Sequence, residues 1–151
     1  MKMCLTAGLI WSLLLIPASV AADSEKKVKM GDLPAAVQQA VNEQSKDGKI
    51  RGLTKEVADG KTIYELELSV NGHGKDVSFD TAGKIVSVEE EVPLASLPEA
   101  ARSAIQKAVG SGKLQKLESV TENGASFYEA SIRKAGKDSE VKVDAKGATV
   151  K

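Results

Sequence analysis

The stretch "VSFDTAGKIVSV", Val77 to Val88, alternates apolar and polar residues, breaks at Asp80 and resumes after Gly83. The C-terminal "VKVDAKGATVK", Val141 to Lys151, has the same form 64 positions later. Sliding the chain on itself by that offset superposes Leu33-Pro34 on Leu97-Pro98, Leu53 on Leu117 and Tyr64-Glu65 on Tyr128-Glu129. It also superposes Gly60 on Gly124, Gly72 on Gly136, Asp80 on Asp144 and Gly83 on Gly147, all without a gap. The coinciding positions are turn glycines and core-type residues, so the chain reads as two copies of one unit. The copies are expected to span residues 32–92 and 93–151.

Each copy opens on a helix. Leu33, Ala36, Val37, Ala40 and Val41 form one apolar stripe, and Leu97, Ala100, Ala101, Ala104, Ile105, Ala108 and Val109 another. Asp32 and Ser96 are the expected N-caps, with Ser96 and Glu99 forming a capping box. Four strands are expected after each helix, the last of the second copy being only the short "ATV", Ala148 to Val150. Asp59-Gly60 and Asn123-Gly124 are hairpin turns, and "DTAG" and "DAKG" fit type I turns. In "TIYELELSV", Tyr64, Leu66, Leu68 and Val70 share one face, and Glu65, Glu67 and Ser69 the other. The predicted class is α+β: a tandem repeat of a helix plus a four-stranded antiparallel sheet, with helices on one face only. The last strand of either copy would then be a free edge.

The first 22 residues read differently. A positive start at Lys2, an apolar run from Leu5 to Ile16, then Pro17 and "ASVAA" make a secretory signal peptide, with cleavage after Ala21 or Ala22. The periplasm or the cell exterior is the expected location, with no membrane attachment after cleavage. The only Cys, Cys4, and the only Trp, Trp11, lie within this segment. The mature chain therefore has no disulfide, Cys nucleophile or thiolate metal site. Lys2 is the only charged residue removed, so 20 basic residues face 21 acidic ones, a balance that offers nucleic acid nothing. Residues 23–31 read as a flexible polar lead-in.

The Leu-Pro helix starts "LPAAVQQAV" and "LPEAARSAI", the strands "YELEL" and "YEASI", and the turns "VSFDTAGKIV" and "VKVDAKGATV" together resemble the PepSY-like family of β-lactamase-inhibitor-like domains. The resemblance covers nearly the whole mature chain, twice. It implies a tandem unit laid out as in the β-lactamase inhibitor protein, in bacterial proteins that are typically exported. Related PepSY domains occur in propeptides and are linked with inhibition of thermolysin-like proteases. This chain departs from that inhibitor in lacking its cysteines and its aromatic-rich surface.

Catalytic chemistry finds little footing. His73 is the only histidine and lies between glycines in a turn. No second His or Cys completes a metal site, and no nucleophile elbow is present. No catalytic residue, metal ligand or cofactor is assigned. Glu65 and Glu67 share a strand face expected to be solvated, and Glu89 to Glu91 are expected to be a solvated strand end.

A binding role has candidates. The turn at Asn123-Gly124 sets Val120 opposite Phe127, both with the parity of the polar face, and Ile63 matches Phe127 in the first copy. Ile63, Val120 and Phe127, ringed by Glu65, Glu67, Glu129 and Arg133, are the expected anchors for an unidentified protein or peptide partner. The structural alternative is that these apolar residues cap the edge of the core. The expected function is an exported, non-enzymatic module that binds or inhibits a partner through its open sheet face. The alternative is a periplasmic sensor of a small ligand or metal ion that uses the acidic face.

Overall fold

The computed structural model describes residues 24–58 and 60–150. The expected signal segment, residues 1–22, lies outside them, as does Asp59 of the first hairpin turn. Eight strands form one antiparallel sheet in chain order. They are β1 (Ser24–Lys27), β2 (Lys49–Ala58), β3 (Lys61–Val70), β4 (His73–Phe79), β5 (Ile85–Glu91), β6 (Lys113–Glu122), β7 (Ala125–Lys134) and β8 (Lys137–Val143). Helix α1 (Ala35–Gln44) precedes β2, and α2 (Glu99–Val109) precedes β6.

Three expectations need correction. The lead-in is ordered from Ser24: β1 pairs with β2 from Ser24–Val57 to Lys27–Thr54. Val28 and Met30 then pack on the first core, which their lysine-rich surroundings hid in the sequence. The two copies do not form separate sheets, because β5 pairs with β6 from Ser87–Glu122 to Glu91–Glu118. The last strand of the first copy is thus internal. In the second copy the fourth strand shrinks to one bridge, Val143 with Thr149.

The helix starts also differ. Leu33 and Leu97 are extended, as residues before proline prefer to be. Pro34 and Pro98 therefore occupy the N-cap positions, and neither helix has a side-chain cap. Asp32 instead accepts a hydrogen bond from the Lys29 amide at 3.0 Å. The Ser96 hydroxyl donates to the Pro93 carbonyl at 2.8 Å. Both close short 3₁₀ turns two residues ahead of their helices, so Ser96 and Glu99 form no capping box.

Parity does the rest. Tyr64, Leu66 and Leu68 of β3 bury with Val77 and Phe79 of β4 beneath Leu33, Val37 and Val41. Leu117, Ala130, Ile132 and Val143 bury beneath Leu97, Ala101 and Ile105. The pairings Leu66–Val77, Val77–Val88 and Val88–Thr121 carry one parity across the seam, so both helices cover the same face. Fully burying one such aliphatic or aromatic side chain contributes about 1.5–3 kcal/mol.

The repeated Asp-x-x-Gly turn holds the layers together. Asp80 Oδ1 accepts from the amides of Ala82 and Lys84 at 2.9 and 3.0 Å. Asp144 Oδ1 accepts from Lys146 and Ala148 at 2.8 and 2.9 Å. Gly83 has φ +77°, and a Cβ there would sit 2.5 Å from the carbonyl oxygen of Ala36 in α1. Gly147 has φ +79°, and its Cβ would sit 2.6 Å from that of Ala100 in α2. Each turn thus rests on the first turn of its helix, where only a hydrogen fits.

Gly83→Ala and Gly147→Ala should each cost about 2 kcal/mol or more, because the left-handed backbone and the clash with helix backbone add. Gly60, at φ +73° with nothing within 4 Å of an added Cβ, should lose only about 1 kcal/mol on the same change. Equal losses at the three sites in urea melts would rule out the docking role. Ala135 carries a positive φ of 50° where the corresponding turn residue of the first copy is Asn71. Ala135→Asn should therefore stabilise the fold by roughly 0.5–1 kcal/mol, read as a raised urea midpoint.

Candidate functional site on the helix-free face

The other parity builds a second surface. Across the sheet, Glu67 opposes Asp76, Asp76 opposes Glu89, Glu89 opposes Val120, and Val120 opposes Phe127. A parallel row runs Glu91, Glu118, Glu129, Lys142. Like charges directly across a ladder destabilise it, so this face is not arranged for stability alone.

A groove of about 470 Å³ lies on this face and draws on both copies. Its apolar lining is Ile63, Val86, Val120 and Phe127, and its carboxylates are Glu56, Glu65, Glu89, Glu122 and Glu129. Lys61 and Lys142 are its two cations. Val86 enters at a bulge, where the partner of β4 jumps from Ser87 to Ile85. Five of the seven residues expected from sequence line this groove: Ile63, Glu65, Val120, Phe127 and Glu129. Glu67 stands on the same face but outside the groove, beside Gly52, whose missing side chain leaves room for the Glu67 carboxylate. Arg133 is elsewhere, at the end of β7, paired with Asp138 at 3.3 Å.

Val120 and Phe127 are 2% and 6% exposed, so they are a floor and not projecting anchors. They belong to neither helix-side core. Lys142 lies over the Phe127 ring, with Nζ 5.3 Å from the ring centre, and pairs with Glu129 at 2.8 Å. The hydrogen bond to Glu129 raises the Lys142 pKa above the usual lysine value. Sequence reading missed Lys142, although the register set by the Ala135-Gly136 turn, Lys134 opposite Lys137, makes it the partner of Glu129.

Nor are the carboxylates of this face simply solvated. Burial, then the charges of Asp76, Glu67, Glu89 and Glu25, push the Glu65 pKa from 4.5 to about 7. Burial also raises Asp76, against the lowering charge of Lys116. It raises Glu89, helped by Glu118, Glu129 and Asp76 and opposed by Lys116. Lys116 crosses the seam between the copies, 2.7 Å from the buried Glu118 and 3.8 Å from Asp76. Burial works against its charge, but Glu118, Asp76 and Glu91 together raise its pKa. Among the described residues no group of three or more His, Cys, Asp or Glu is placed to hold a metal ion.

Two helices on one face of an open antiparallel sheet, with a groove on the bare face, define an open-faced α+β module. A family model described as "Putative beta-lactamase-inhibitor-like, PepSY-like" matches residues 22–86 and, overlapping, 62–151. The chain belongs to this PepSY-like family. A comparison with curated proteins finds no match. Solved structures share the fold. A BLIP-like protein from Bacteroides fragilis superposes with a TM-score of 0.60 at 16% identity, over 79% of this chain and 84% of its own. A DUF2874 family protein from Bacteroides uniformis gives 0.64 at 19% identity, over 78% and 86%. A protein from Bacteroides eggerthii described as "putative periplasmic" gives 0.65 at 18% identity, over 79% and 86%. No helix among the described residues is long and apolar enough to cross a membrane.

Glu65, Asp76 and Glu89 hold protons more tightly in the folded chain than in the unfolded one. Their contribution to stability is full below the unfolded values and is lost as pH rises through the folded ones, to about 7 for Glu65. The melting temperature should therefore fall between pH 5 and pH 8. Glu65→Gln should raise it at pH 8 by roughly 2–4 °C and flatten the profile. An unaltered pH profile in the variant would refute the assignment.

Proposed function

We propose that the chain is an exported, non-enzymatic module that binds a protein or peptide partner through the helix-free face of its sheet. One observation carries this reading: the groove is built from strands of both copies on the face that folding leaves uncovered, with an apolar floor and charged walls. Specific interfaces commonly pair a desolvated apolar centre with a polar rim. His73, the sole histidine, is exposed at the start of β4 and outside the groove. The BLIP-like name of one fold neighbour agrees with a binding role, although fold alone does not transmit function. Inhibition follows if the bound segment is one the partner needs for its own work.

A photo-crosslinking residue placed at Ser87, in the groove, should trap a discrete partner in cells of the source organism. The same residue at exposed Gln39 on α1 should not. Adducts from Gln39 alone, equal adducts from both, or none would overturn the proposal. Export is tested on the same cells: the mature chain should begin at Ala22 or Asp23, and a retained Met1 would contradict it.

A further inference from the structure

The two copies are each other's control. Position for position, Glu65 in the first corresponds to Glu129 in the second, Ile63 to Phe127, and Ser78 to Lys142. The register agrees, since Glu65 opposes Ser78 on β4 just as Glu129 opposes Lys142 on β8. In the second copy the carboxylate has its cation, 2.8 Å away and seated over an aromatic ring. The first copy keeps the half-buried carboxylate and an apolar neighbour but carries a serine in place of the lysine. Among the described residues no basic side chain lies within ion-pair distance of Glu65. The groove runs through both positions, so the first is open to a visitor from solution.

We propose that the first copy takes its missing cation from the partner: an Arg or Lys side chain enters the groove beside Ile63 and Ser78 and pairs with Glu65. The inference rests on the binding reading above and narrows its partner to a basic, partly apolar segment. Charge complementarity supports that choice. Thr54 and Ser78 flank Glu65 across the ladder, while Glu67, Asp76, Glu89 and Glu25 supply the surrounding field. Lys61 lines the groove and forms no ion pair among the described residues. A carboxyl held at about 7 by burial and like charges gains more from an arriving cation than a free one does. The stem of Arg or Lys suits the apolar floor, since both bury their methylenes while the charge seeks a partner.

The test uses the pentapeptide Gly-Val-Arg-Val-Gly and its citrulline analogue, which keeps the shape and loses the charge, titrated into the isotope-labelled mature chain by NMR. The arginine peptide should shift the amides of Glu65, Ser78 and Ser87 and bind at least tenfold more tightly than the citrulline one. Glu65→Gln should abolish that preference. Ser78→Lys, which rebuilds the arrangement of the second copy, should weaken the arginine peptide at least tenfold and return the Glu65 carboxyl toward its ordinary titration range. Equal binding of the two peptides, no binding by either, or a Glu65 carboxyl that still titrates near 7 in Ser78→Lys would overturn the proposal. The two readings fail separately: crosslinks at Ser87 that persist unchanged in Ser78→Lys would sink the cation while leaving the docking face intact.

Discussion

The contact on which the architecture turns is that of two glycines against two helix carbonyls. A turn that brings its Cα against the backbone of Ala36 or Ala100 leaves no space for a side chain and fixes the distance between the helix and the end of its strands. Asp80 and Asp144 tie each turn to its own amides, so the turn is rigid before it meets the helix. With one such post in each copy, both helices are pinned to the same side of the sheet.

That arrangement commits the other side to water or to a partner. The continuous ladder across β5 and β6 then brings acidic residues from both copies onto one uncovered surface, with Lys116 spanning the join between Asp76 and Glu118. Cross-strand carboxylates oppose one another there, and burial keeps three of them above their ordinary pKa values. A sheet optimised only for stability would alternate signs along these rows. Departures of this kind from local consistency are expected where a surface is kept for function.

Much of this was legible in the sequence. The offset of 64 located both turns, the period-2 pattern placed Tyr64 in the core, and the Asn123-Gly124 turn gave the pairing of Val120 with Phe127. What escaped had physical reasons. The helix caps were misplaced because proline forces the preceding leucine to be extended, moving Asp32 and Ser96 out of capping range. Strand β1 was hidden because an edge strand carrying four charged or polar residues has no apolar alternation to show. Lys142 reaches the Phe127 ring from the neighbouring strand, and the raised pKa of Glu65 sums burial with the charges of carboxylates that include residues of three other strands. Such long-range sums leave no local mark.

The copies also differ in an orderly way. On the helix side the matched positions keep their character: Leu53 and Leu117, Tyr64 and Tyr128, Leu68 and Ile132, Val77 and Val141. On the bare side Glu65 and Glu129, and Ile63 and Phe127, keep theirs, but many others change it: Gly52 becomes Lys116, Glu56 becomes Val120, Ser78 becomes Lys142, Glu67 becomes Ser131. Packing density constrains the first set, because a buried methylene added or lost is felt throughout a close-packed core. Apart from the buried Val120, the second set is less enclosed, so its residues are freer to be chosen for charge. The outcome is lopsided: the second copy satisfies its own carboxylate, and the first copy leaves one unsatisfied in a shared groove. A scaffold with no other task has no reason to hold that asymmetry at its centre, where four carboxylates raise the cost of keeping Glu65 ionised.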